Sequence, residues 1–101
     1  MLKFPGNSVY LSSASLWEIA IKTSLGKLEL KKSFEKLLVD LNSTDIVILQ
    51  IENEYLKKLT ALPAIHKDPF DRLIIATALA EDLTIITADE NIQKYDVSWI
   101  W

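Results

Sequence analysis

An α/β fold with a mainly parallel sheet is what these 101 residues predict. Two continuous apolar runs, "DIVILQI" (45–51) and "LTIIT" (83–87), have the make-up of strands buried on both faces of a parallel sheet. Stretches with helical periodicity separate the strand candidates, the alternation that builds α/β domains. Half the residues are hydrophobic and a quarter are charged, a balance expected of one folded domain over residues 1–101.

In chain order, "SVYL" (8–11) is a strand candidate rich in β-forming residues. "SSAS" (12–15) supplies capping residues, and Trp17, Ala20, Ile21 and Leu25 then fall at helical spacing, which predicts a stripe with Trp17 in the core. Gly26 is a C-terminal stop. Ser33 caps a second helix that aligns Phe34, Leu37, Leu38 and Leu41. "ENEYLKKLTAL" (52–62) is a third helix, ended by Pro63. "PFDRLIIATALAED" (69–82) is apolar nearly all round, which predicts a deeply buried helix. "ENIQKY" (90–95) is one helical turn and "VSWIW" (97–101) a last strand.

Composition also excludes several classes. No cysteine and a single histidine leave no thiolate zinc site and no disulfide. No apolar run approaches the roughly 18 residues that span a bilayer, and "MLKFPGNSVY" has no signal-peptide stretch, so a cytoplasmic protein is expected. A net charge of −3 does not bind nucleic acid by bulk attraction. A nucleic-acid role therefore needs a local basic surface or bound cations; "KLELKK" (27–32), the one local basic cluster, is expected to be a solvated loop.

The acidic residues have structural explanations when taken singly. Ser15 and Glu18 have the spacing of a capping box, and Glu18 can pair with Lys22 at i,i+4. Asp68 before Pro69 makes a good N-cap, Asp71 suits the first helical turn, and Asp89 can cap the short turn after it. Their joint placement suggests more. Glu18 and Asp89 follow strand candidates, and Asp71 opens the most buried helix. In an open α/β sheet ligands bind at the carboxyl ends of the strands. Carboxylates gathered there repel one another unless a proton or cation sits between them, and all-oxygen ligands select Mg2+ or Mn2+. Such an ion can clamp a phosphate and activate water, a layout suited to phosphodiester cleavage.

The stretches "SSASLWEIAIKTSLGKLEL", "HKDPFDRLIIATALAEDLTIITADENIQKY" and "YDVSWIW" resemble the PIN domain, and more narrowly the VapC-type toxins of bacterial toxin–antitoxin systems. The resemblance runs over nearly the whole chain, and "WEIAIK" with "DPFDRL" carries most of its specificity. It implies a three-layer fold and an Mg2+- or Mn2+-dependent ribonuclease with four acidic positions. Glu18 matches the second of them, Asp71 the third and Asp89 the fourth; Thr87 and Ser15 match hydroxyl positions beside the metal. It also implies an RNA substrate, an antitoxin partner and a homo-oligomer. One departure stands out. The family begins with a central strand ending in an aspartate and a helix after it, and "MLKFPGNSVYL" supplies neither. An N-terminally truncated domain with little ribonuclease activity is therefore expected, and the alternative is an inactive antitoxin-binding or dimerisation module. A receiver-like signalling domain fits less well, because no acid pair follows the first strand and no lysine follows a strand end. His66 is expected to be solvated, Arg72 or Lys22 to contact phosphate, pair with a site acid or form a surface pair, and Trp99 and Trp101 to share a strand face.

Overall fold

The computed structural model describes residues 2–4 and 8–101. Five strands form one sheet in the order β3-β2-β1-β4-β5. They are β1 (Leu2–Phe4), β2 (Tyr10–Ser12), β3 (Val47–Leu49), β4 (Thr84–Ile86) and β5 (Trp99–Ile100). The helices are α1 (Ser13–Ser24), α2 (Phe34–Asn42), α3 (Asn53–Thr60), α4 (Pro69–Glu81) and the single turn α5 (Glu90–Gln93). No helix among the described residues is long and apolar enough to cross a membrane.

The sheet is mixed, which corrects the parallel expectation. β2 runs parallel to β3, and β4 parallel to β5. β1 lies between β2 and β4 and is antiparallel to both, so the other four strands all point one way. The central place expected to be vacant thus holds a strand of opposite direction. Leu2 pairs with Leu11 and Ile86, while Phe4 pairs with Thr84. β1 therefore leaves the sheet at the amino edge of its neighbours, and Phe4 lies away from the edge where Glu18 and Asp89 follow their strands.

Local sequence explains most helix ends. Ser33 accepts from the Lys36 N–H and Asp68 from the Phe70 and Asp71 N–H groups, which satisfies donors that a helix start leaves open. Pro69 follows Asp68 as the first residue of α4, where its missing N–H costs nothing. Gly26, at φ +71°, stops α1. The capping-box reading of Ser15 is corrected: Ser12 caps α1 by accepting from the Ala14 N–H, so Ser15 lies inside the helix and is buried.

The core centres on α4. Leu73, Ile74, Ile75 and Ala78 pack with Ala14, Tyr55, Leu83, Ile85, Ile92 and Tyr95. Two expectations about burial fail. Trp17 is 54 % exposed and meets Phe70 edge-on, at 5.1 Å between ring centroids. Starting α1 at Ser13 instead commits Ala14 and Leu16 to the interior. The "DIVILQI" run is not buried on both faces either: β3 is an edge strand, and Val47 and Ile51 are exposed.

Candidate functional site

The carboxyl edge of the sheet is where α1 leaves β2 and where Thr87 and Asp89 follow β4. A cavity of about 390 Å3 lies there, lined among others by Ser15, Glu18, Asp71, Thr87 and Trp101. Glu18 reaches it from the second turn of α1 and Asp71 from the first turn of α4. The two helices pack against each other, which brings residues 53 apart in sequence to one cavity.

Each polar group has a local partner. Glu18 Oε2 pairs with Lys22 Nζ at 2.9 Å, one helical turn on. The hydrogen bond to Glu18 raises the Lys22 pKa first, and the nearby Asp68 and Asp71 charges push the same way. Lys22 thus sits as a counter-cation within the field of three acids. Thr87 Oγ1 accepts from the Asp89 N–H at 3.0 Å and so shapes the loop after β4. Asp89 does not line the cavity; its Oδ1 accepts from the Asn91 N–H at 2.9 Å as the cap of α5.

Asp71 is the electrostatic centre. Its pKa is raised, chiefly by burial and next by the charge of Asp68, with Asp89 and Glu18 adding to the effect. Only the hydrogen bond from His66 pulls the other way. Asp71 therefore feels every acid singled out in the sequence. Three carboxylates share a field without closing a cage: among the described residues no three His, Cys, Asp or Glu side chains gather tightly enough to hold an ion. The donor chemistry fits a hard divalent cation, since carboxylate and hydroxyl oxygens line the cavity and no sulfur or imidazole does.

Sequence spacing did not reveal a second group behind Asp71. His66 is not solvated: its side chain is 12 % exposed, with Nε2 3.4 Å from Asp71 Oδ2 and Nδ1 2.9 Å from the Tyr95 hydroxyl. Arg72 contacts neither an acid nor open solvent space alone; its Nη1 donates to the Pro63 carbonyl and to Tyr95 Oη. Tyr95 lies 29 residues from His66, too far for any local pattern to link them. Trp101 lines the cavity and is 84 % exposed, whereas Trp99 is partly covered.

The acid-lined cavity lies at the carboxyl edge of the sheet, the edge at which open α/β sheets bind their ligands. The family model of the PIN domain matches residues 3–98, and the chain belongs to the PIN domain family. That family is nuclease-like, and its members typically use divalent metals. No curated protein and no solved structure matches the chain.

Proposed function

We propose that the chain is a metal-dependent ribonuclease of the VapC toxin type, working at a low rate. The observation that carries this reading is the placing of Glu18 and Asp71 on one cavity, with Asp71 held in the field of Asp68, Asp89 and Glu18. Glu18 and Asp71 would hold Mg2+ or Mn2+ through carboxylate oxygens, while Asp89 adds negative charge from the loop after β4. A bound divalent cation supplies a Lewis acid that activates water and offsets charge developing on a phosphate. The chain's own residues do the rest. Glu18 would release Lys22 to take up the cation, Thr87 keeps the β4 loop in shape, and Ser15 lines the cavity. Divalent cations also explain how a chain of net charge −3 holds RNA. The exposed Val47 on β3 and Trp99 and Ile100 on β5, the two edge strands, offer apolar surface to an antitoxin or to a second copy in a homo-oligomer.

A second reading is a binding module that cuts nothing. It is favoured by β1, which fills the centre of the sheet in reverse, and by Asp89, which caps α5 and does not line the cavity. Placement errors near 1 Å can lower a rate on the order of 100-fold, so an incomplete ligand set weakens catalysis before it abolishes binding. RNA cleavage in Mg2+ against EDTA separates the two. Slow cleavage that disappears in EDTA, in Glu18→Gln and in Asp71→Asn is expected of the enzyme. Mn2+ binding with no cleavage above that of Asp71→Asn selects the module. Neither binding nor cleavage overturns both.

A further inference from the structure

The phenol of Tyr95 is a crowded atom. It is buried, and its oxygen lies 3.3 Å from the His66 backbone nitrogen, 3.1 Å from Arg72 Nη1 and 2.9 Å from His66 Nδ1. The first two neighbours can only donate: a backbone N–H has no acceptor site, and a guanidinium keeps its protons. Together they use both acceptor positions of the phenolic oxygen. What remains is its single proton, and His66 Nδ1 is the acceptor in reach. An Nδ1 that accepts a hydrogen bond carries no proton of its own, which points to the tautomer with its proton on Nε2. That N–H faces Asp71 Oδ2 at 3.4 Å, a loose contact of the kind that tightens when a site is filled.

We propose that Tyr95 and His66 form a relay of fixed tautomer that positions Asp71. Tyr95 O–H donates to Nδ1, and Nε2–H donates to Oδ2, which leaves the other Asp71 oxygen for the cavity. The imidazole is further held by the Tyr95 ring, edge-on at 5.4 Å between centroids. Arg72, by tying Tyr95 Oη to the Pro63 carbonyl, sets the direction of the phenolic proton. His66 and Tyr95 are thus positioning residues. The role toward Asp71 rests on reading Asp71 as a ligand for the cation, and outer partners of this kind change metal affinity by roughly 10- to 100-fold.

His66 is the single histidine in the chain, so the 15N imidazole spectrum reports this residue alone. In metal-free protein at neutral pH, an unprotonated Nδ1 and a protonated Nε2 are expected. Tyr95→Phe, which keeps the buried ring, should mix the tautomers and weaken Mn2+ binding about 10-fold or more. His66→Ala should weaken it similarly, and His66→Gln should recover part of the loss by offering an amide N–H near the place of Nε2. Ile92→Val, a core change on α5, serves as the control: it lowers the melting temperature and leaves Mn2+ affinity alone. A protonated Nδ1 overturns the tautomer assignment. Tyr95→Phe binding Mn2+ like wild type overturns the positioning role. If wild type binds no Mn2+, the metal reading fails and the positioning role falls with it, while the tautomer is still decided in the metal-free spectrum.

Discussion

Asp71→Asn should raise the melting temperature in EDTA and remove the stabilisation that Mg2+ gives the wild type. Asp71 occupies the first turn of α4, where a negative charge gains roughly 0.3–1 kcal/mol from the helix dipole. Burial and the charges of Asp68, Asp89 and Glu18 oppose that gain, and the upward direction of its pKa shows that they win. The sign follows from linkage. A carboxyl whose folded pKa lies above its unfolded value contributes stability below the unfolded pKa, near ~3.9, and loses it as pH rises through the folded value. Above the folded pKa the wild type therefore carries the cost of the charge. Asparagine removes that charge and keeps an oxygen that accepts from His66 Nε2. A domain this size gains about 4–8 °C per kcal/mol, so a rise of a few degrees is expected. The gap should narrow as pH falls through the carboxylate range and close below about pH 4. Mg2+ at ten times its Kd should stabilise the wild type by roughly 1.4 kcal/mol and leave the variant unchanged. Thermal melts followed by circular dichroism decide this; a lower melting temperature for Asp71→Asn at pH 7 contradicts the electrostatic account.

Ile75→Ala should come close to unfolding the protein. Ile75 is fully buried on α4, in the cluster that joins Ala14, Tyr55, Ile85 and Ile92. Truncating a buried isoleucine costs about 2–5 kcal/mol, because the transfer energy is lost and the cavity collapses only in part. Small domains hold roughly 5–15 kcal/mol in all, so the melting temperature should fall by at least about 10 °C. Trp17→Ala is the informative contrast. It removes a larger side chain, yet one mostly exposed, whose edge contact with Phe70 is worth about 0.5–1.5 kcal/mol. If Trp17→Ala costs as much as Ile75→Ala in urea or thermal unfolding, the burial assigned to α1 is wrong.

That contrast marks where sequence reasoning reached and where it stopped. Caps are local, so Ser33, Asp68 and Asp89 were legible from one hydroxyl or carboxylate before a helical run. The burial of α4 was legible because its apolar residues run nearly all round. The face of α1 was not: twelve residues with several capping serines allow more than one start, and a start at Ser13 turns Trp17 outward. β1 was missed because a three-residue strand has too little alternation to declare itself, and its direction is set by pairing with Leu11 and Ile86. An apolar run such as 45–51 does not tell an edge strand from a central one, since both need β-forming residues. Of the candidate site, topology pointed to Glu18 and Asp89 at one edge, with Asp71 joining if its helix began there; the cavity takes Glu18 and Asp71 but not Asp89, and the His66–Tyr95 contact depends on tertiary packing alone.

The central claim is the proposed one, that Glu18 and Asp71 hold a divalent cation at the carboxyl edge of the sheet while Asp89 adds charge from the loop after β4. Titration of Mn2+ into 15N-labelled protein tests it most directly, because paramagnetic broadening falls off steeply with distance from the ion. The account predicts saturable broadening centred on Glu18, Asp71 and the 87–89 loop, competed by Mg2+ and lost in Asp71→Asn. Broadening that is absent, or that centres elsewhere, for instance on the half-buried Asp40, would contradict it.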